Sequence, residues 1–359
     1  MWPDRRIIEL FGIEHPILLA PMAGGPSTAE LAIAVAEAGG LGSLACATLS
    51  PEQIRKDLGI IRQRTAKSIN LNFFTHKPPR PDAAREARWE ARLAPYYSEF
   101  AIDPAKPLAS VTREPFNDAT CRLVEEFKPE IVSFHFGLPE QRLLDRVKAT
   151  GATVISSATT AREARWLADH GCDAIIAQGN EAGGHRGMFL TDDIAAQPGT
   201  FALLPQVVDA VKLPVIAAGG ITDGRGIAAA FALGAAAAQV GTAYLFCPEA
   251  GVAPLHRAAL KSARDDSTAL TNLFTGRPAR GIINRLMREV GPMSGDAPAF
   301  PTAGSALAPL KAAAEAKGSA DFGSLWSGQA AALGREMPAA ELTRHLVREA
   351  LARLKSLGG

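Results

Sequence analysis

Short apolar runs built mainly from Val, Ile, Leu and Ala recur along the chain. They fall at Pro16 to Ala20, Leu41 to Ala45, Ser68 to Phe73, Ile131 to His135, Thr153 to Ser157, Ala174 to Ala177, Pro214 to Ala218 and Ala237 to Val240. Alternating polar positions are scarce within them, the pattern of strands buried on both faces of a parallel sheet. Amphipathic segments fill the gaps. Three of these open on helix-capping residues: Ser27-Thr28 with Glu30 at the stretch Thr28 to Ala38, Ser50 ahead of Pro51 to Arg64, and Thr160 ahead of Ala161 to His170. Eight alternations of strand and helix predict an α/β fold, a (β/α)₈ TIM barrel over residues 1–245, because a doubly wound sheet usually needs fewer strands.

Two stretches break the repeat. From about 76 to 115 prolines and charges dominate, as in Lys77-Pro78-Pro79-Arg80-Pro81, which predicts an insertion after the third strand, able to act as a flap. From 246 to 359 the pattern turns mainly helical, with breaks at Gly291-Pro292 and Pro298 to Gly304, which predicts a helical extension packed on the barrel.

Barrel enzymes carry their chemistry at the carboxyl ends of the strands, so the residues just after each run are informative. The seventh and eighth runs lead into Gly219-Gly220 and Gly241-Thr242. Glycines there let the backbone come close to a phosphate whose oxygens accept N–H bonds. One such pair is common wherever a strand turns into a helix; two in adjacent units point to a phosphate cup. Asn72 and Gln178 are amides at strand ends on the same rim, suited to a ring with alternating carbonyls and nitrogens such as a flavin. Ala20, Pro21 and Met22 offer backbone contacts and an apolar wall for a flat ring. His185, in the glycine-rich loop Gln178 to Gly187 after the sixth run, is the candidate base. His135, ending the fourth run, reads equally as substrate-proximal or as a structural hydrogen-bonding group. The other five histidines have no comparable position. Glu181 reads as a partner for Arg186 or a histidine, or as a solvated loop carboxylate.

Composition removes whole classes of function. With 47% hydrophobic and 21% charged residues the chain is no disordered protein. Its 38 basic residues nearly balance 37 acidic ones, for a net charge of +1, so neither nucleic acid nor an anionic membrane is an expected partner. The four cysteines form no CxxC pair, and no two-histidine-and-carboxylate grouping appears, so no metal site is expected. Met1 to Arg6 lacks the apolar stretch of a signal peptide, and the most apolar segment, Ile227 to Ala238, is too short to span a bilayer; a cytoplasmic protein is the expectation. There is neither a GxxxxGK[ST] loop nor a GxSxG elbow.

The motifs together resemble a family. Ala20 to Gly25 with Ala38-Gly39-Gly40-Leu41-Gly42, the loop Gln178 to Gly187 and the segment Pro214 to Thr242 resemble the nitronate monooxygenases, formerly 2-nitropropane dioxygenases. Phe274 to Arg280 and Leu325-Trp326-Ser327-Gly328-Gln329 resemble the larger bacterial and fungal-type class of that family. The glycine-flanked histidine is shared with flavin-dependent enoyl-carrier-protein reductases, so the C-terminal segments tip the choice. The resemblance implies FMN held by Asn72, Gln178, Gly183, Gly220 and the turn Gln239-Val240-Gly241-Thr242, with His185 as base. It also implies that a nitronate, or a nitroalkane, gives an electron to FMN and that O2 then yields a carbonyl compound and nitrite. In one departure, Phe300-Pro301 stands where an aromatic hydroxyl is expected. Two other readings are a flavin-dependent NAD(P)H reductase of the enoyl-carrier-protein or quinone type, and a non-catalytic barrel binding a phosphorylated ligand.

Overall fold

The computed structural model describes residues 1–104 and 113–358. Its strands in chain order are β1 (Ile17–Leu19), β2 (Gly42–Ala45), β3 (Ile69–Phe74), β4 (Ile131–His135), β5 (Thr153–Ala158), β6 (Ala174–Gln178), the two-residue β7 (Gly184–His185), β8 (Val215–Ala218) and β9 (Ala237–Val240). All but β7 join one parallel eight-stranded sheet in the order β1-β9-β8-β6-β5-β4-β3-β2. A parallel bridge between Leu18 and Leu41 brings its two ends together, with Leu41 donating to the Ile17 carbonyl and Leu19 to the Leu41 carbonyl, both at 2.9 Å. The sheet is thus the expected TIM barrel. The eight apolar runs coincide with its strands to within one or two residues.

The pleat sends alternate side chains to opposite faces. Leu18, Ile131, Ile155, Ile176 and Ile216 fill the barrel interior, joined by Ile7 and Phe11 of the helix Arg6–Phe11, which closes the amino-terminal end. Ile17, Leu19, Leu71, Val132, Val154 and Ile175 face outward into the larger core beneath the helices. The expected caps are in place: Thr28, Ser50 and Thr160 accept from the backbone N–H of Leu31, Gln53 and Glu163.

The insertion after β3 is packed rather than free along the helix Ala83–Glu99, which buries Trp89, Leu93, Tyr96 and Tyr97 against the helix Gly304–Ala316. Trp89 Nε1 donates to the Ala303 carbonyl at 3.1 Å and the Tyr97 hydroxyl to that of Ala306 at 2.6 Å. Residues 105–112, which belong to the same expected insertion, lie outside the described residues.

Besides its helices, the segment after 246 carries an antiparallel hairpin of β10 (Thr268–Thr271) and β11 (Ala279–Ile282). β11 pairs in turn with β7 and brackets the loop after β6. The terminal helix Ala339–Gly358 packs on the helices Gly224–Ala232 and Ala29–Glu37, the place of the eighth barrel helix. Among the described residues, no helix is long and apolar enough to cross a membrane and no cluster of His, Cys, Asp or Glu could hold a metal ion.

Candidate active site

The carboxyl ends of the barrel strands open into a cavity of about 420 Å³, within the ordinary range for a small-ligand site. Every site residue singled out from the sequence lines it except Val240, whose side chain alternates outward and is buried in the core under the helices. Its neighbour Gln239 points the other way, lines the cavity, and keeps its buried Oε1 without a hydrogen-bond donor. Such an orphaned acceptor is costly unless a ligand N–H meets it.

At the expected phosphate cup, Gly219 and Gly220 have φ of +110° and +70°, a region open to glycine and poorly open to other residues. Among the described residues the N–H groups of Gly220 and Gly241 donate to no other protein group, so both are open to a ligand oxygen. The first amides of the helix Gly224–Ala232 are already engaged, because Asp223 accepts from Arg225 and Gly226 and Glu349 accepts from Gly224. The Thr242 hydroxyl is likewise used, accepting from the Gly328 amide at 2.9 Å.

The two amides behave differently from one another. Asn72 donates through Nδ2 to the Ser133 hydroxyl at 2.9 Å, and its carbonyl end makes no protein hydrogen bond among the described residues. Gln178 has both ends occupied: Nε2 donates to the His185 carbonyl at 3.0 Å and Oε1 accepts from the Gly187 amide at 2.7 Å. Gln178 therefore shapes the loop that carries His185, a role its position at a strand end does not disclose.

His185 is held from several sides. β11 fixes its backbone, Gln178 and His135 donate to its carbonyl, and its Nε2 lies 2.9 Å from the Thr275 hydroxyl. Thr275 in turn donates to the Arg277 carbonyl at 3.3 Å, which leaves its oxygen to accept from His185 Nε2–H and leaves Nδ1 with the lone pair. Burial, reinforced by the charges of Arg113 and Arg277, holds the imidazole's pKa well below its ordinary value. His135 is committed through both ring nitrogens: Nε2–H donates to the His185 carbonyl at 3.1 Å and Nδ1 sits 3.1 Å from the Ser157 hydroxyl. Burial depresses its pKa to about 4. It positions His185.

Three charged residues that build the loop escape a precise reading from sequence. Arg186, wholly buried, donates to the carbonyls of Gly179 and Gln178 and to Gln197. Glu181 pairs with neither Arg186 nor a histidine but accepts from the amide and hydroxyl of Thr200, capping the helix Thr200–Ala210. Glu163 accepts from the amides of Phe189 (2.6 Å), Leu190 (3.0 Å) and Thr159 (2.8 Å) and from the Thr159 hydroxyl (2.7 Å). Glu163→Ala strands all those donors, so urea unfolding should show a loss of roughly 3 kcal/mol or more. A loss under about 1 kcal/mol would show that the loop is held by other means.

Residues 4–349 match the family model for nitronate monooxygenase. The chain belongs to the nitronate monooxygenase family. Membership makes it an oxidoreductase. The nitronate monooxygenase of Pseudomonas aeruginosa is 44% identical over 347 residues, covering 96% of this chain and 98% of that protein. That of Paraburkholderia phytofirmans is also 44% identical, covering 96% and 94%. Among solved structures, nitroalkane oxidase from Streptomyces ansochromogenes superposes with a TM-score of 0.88 at 38% identity, covering 98% of this chain and 99% of that one. FabK from Thermotoga maritima superposes at 0.74 with 29% identity, covering 100% and 99%. The family's barrel thus extends to relatives of another name, and the site's own chemistry has to separate the readings.

Proposed function

We propose that this enzyme holds FMN without a covalent bond and oxidises alkyl nitronates with O2 to carbonyl compounds and nitrite. The observation that carries this reading is the meeting, in one cavity, of the open amides of Gly220 and Gly241, the unpartnered Gln239 Oε1 and a neutral, clamped His185. The residues fit the cofactor: the glycine cup would take the phosphate, the Asn72 and Gln239 carbonyl ends would offer acceptors to the ring, and Ala20 to Met22 would give it an apolar wall. FMN, when bound, supplies the electron acceptance and the reaction with oxygen. His185 Nδ1 accepts the α-proton of a neutral nitroalkane, while a nitronate arrives with that proton already gone. Family membership and the nitroalkane oxidase likeness support this substrate class over the reductase reading. The described cysteines are all free and buried, which fits a reducing cytoplasm.

The discriminating experiment is anaerobic. A nitronate should change the flavin's absorption spectrum and NADH should leave it unchanged; rapid bleaching by NADH alone would favour the reductase, and a colourless protein a non-catalytic barrel. Burial of the site also sets its pH dependence. Because burial lowers the His185 pKa well below 6.5, its imidazole stays neutral as pH falls through that value and protonates only at more acid pH. In kcat/KM for a neutral nitroalkane, the plateau should therefore persist below pH 6.5. An acid limb centred near the free-histidine value would contradict a desolvated His185 as base.

A further inference from the structure

The charged lining of the cavity is one-sided. Apart from histidines it holds Arg113, Lys311 and Glu315. Lys311 already faces Glu315 at 3.8 Å on one helix. The three lining imidazoles, His135, His185 and His256, are kept neutral by burial. Arg113 has no acid: among the described residues its guanidinium makes neither an ion pair nor a hydrogen bond, and only burial acts on its pKa. The other arginines around the loop differ. Arg186, Arg277 and Arg280 donate to the carbonyls of Gly179, Met188 and Asn180.

The position of Arg113 adds to this. Its guanidinium carbon stands 5.5 Å from the centroid of the Phe300 ring, and the same ring meets His185 edge-on at 5.3 Å and 82°. Phe300 thus lies between the cation and the candidate base, offering both an apolar surface but no polar group. A desolvated guanidinium without a partner is costly, and a planar fork of N–H groups matches two oxygens borne on one atom. Nitro and nitronate groups carry their oxygens in that way.

We propose that Arg113, across the Phe300 ring from His185, is the specificity-determining residue that receives the oxyanion head of the substrate through its guanidinium fork. The inference rests on the nitronate reading for the identity of the substrate; the anion site itself follows from Arg113, Phe300 and the unbalanced charge of the cavity. It assigns the nitronate to this chain's own cation rather than to a hydroxyl at Phe300, which the sequence lacks.

Inorganic nitrate, a planar oxyanion with no carbon to oxidise, probes the site without turnover. The flavin absorbance of the holoenzyme is titrated with sodium nitrate in wild type, Arg113→Met and Arg113→Lys, at matched flavin content and constant ionic strength. Wild type should bind nitrate. Arg113→Met should weaken binding roughly 10- to 100-fold, and Arg113→Lys, which keeps the charge and loses the fork, should fall between. With a nitronate the same order should appear in KM more than in kcat. No nitrate binding by wild type, or equal affinity in wild type and Arg113→Met, would overturn the assignment. Arg113-dependent nitrate binding in a protein that does not oxidise nitronates would leave the anion site standing and reject the nitronate reading alone.

Discussion

Replacing His185 by asparagine is expected to lower turnover of a neutral nitroalkane by about 10²–10⁴-fold, the usual contribution of a positioned base, while largely sparing turnover of the matching nitronate. The difference comes from the substrate: the neutral form must lose its α-proton and the nitronate has lost it. The structure supplies what such a base needs. The imidazole is neutral because it is desolvated, and the Thr275 hydroxyl, committed to the Arg277 carbonyl, directs the proton to Nε2 and the lone pair to Nδ1. The backbone of His185 is held by β11, Gln178 and His135, so an asparagine side chain leaves the loop's own bonds in place. Oxygen consumption by wild type and variant is compared on both substrate forms, at equal FMN content and at a pH where the forms interconvert slowly. Equal losses on both would reassign His185 to binding or charge stabilisation. No loss on either would remove it from the chemistry.

Gly220→Val should empty the protein of most of its flavin while leaving the barrel folded. At φ of +70° a β-branched residue is strained by about 1–2 kcal/mol, and its branches would crowd the open N–H groups that the phosphate needs. The outward side of Gly220 is not what forbids the change: a Cβ there would meet Glu181 Cβ at an ordinary 3.4 Å. The effect should therefore fall on the ligand rather than on the core, with the melting temperature lowered by only several degrees. Flavin released by heat from the wild type should chromatograph as FMN, and its ratio to protein should drop severely in the variant. Full FMN content in folded Gly220→Val would refute the cup; FAD, or flavin that stays attached to the chain, would refute the cofactor.

The barrel is legible in the sequence because strands covered on both faces must be apolar throughout, and the signal is local to each run. So is the placement of the cavity, because strand-end glycines and amides converge in any such barrel. What escapes is non-local. β7 consists of Gly184 and His185 and exists only because β11 pairs with it from far along the chain. Thr275 and Arg113 reach the site through the same long-range folding, and neither stands at the end of a barrel strand. Gln178 shows the limit of reading an amide by its place: both of its ends turn into the loop rather than to a ligand. The helix Ala83–Glu99 does carry a signal, since Trp89, Leu93, Tyr96 and Tyr97 recur at helical spacing, but it lies among charges that suggest a solvated loop.

Oxidation of nitronates by O2, with no need of a nicotinamide, is the proposed activity on which the other assignments converge. The most direct measurement is oxygen uptake by the purified yellow protein given an alkyl nitronate, with nitrite and carbonyl product assayed in the same sample. Oxygen consumption is expected without NADH or NADPH, accompanied by nitrite and carbonyl product in equal amounts. No uptake with the nitronate, in a protein whose flavin NADH rapidly bleaches, would contradict the nitronate reading.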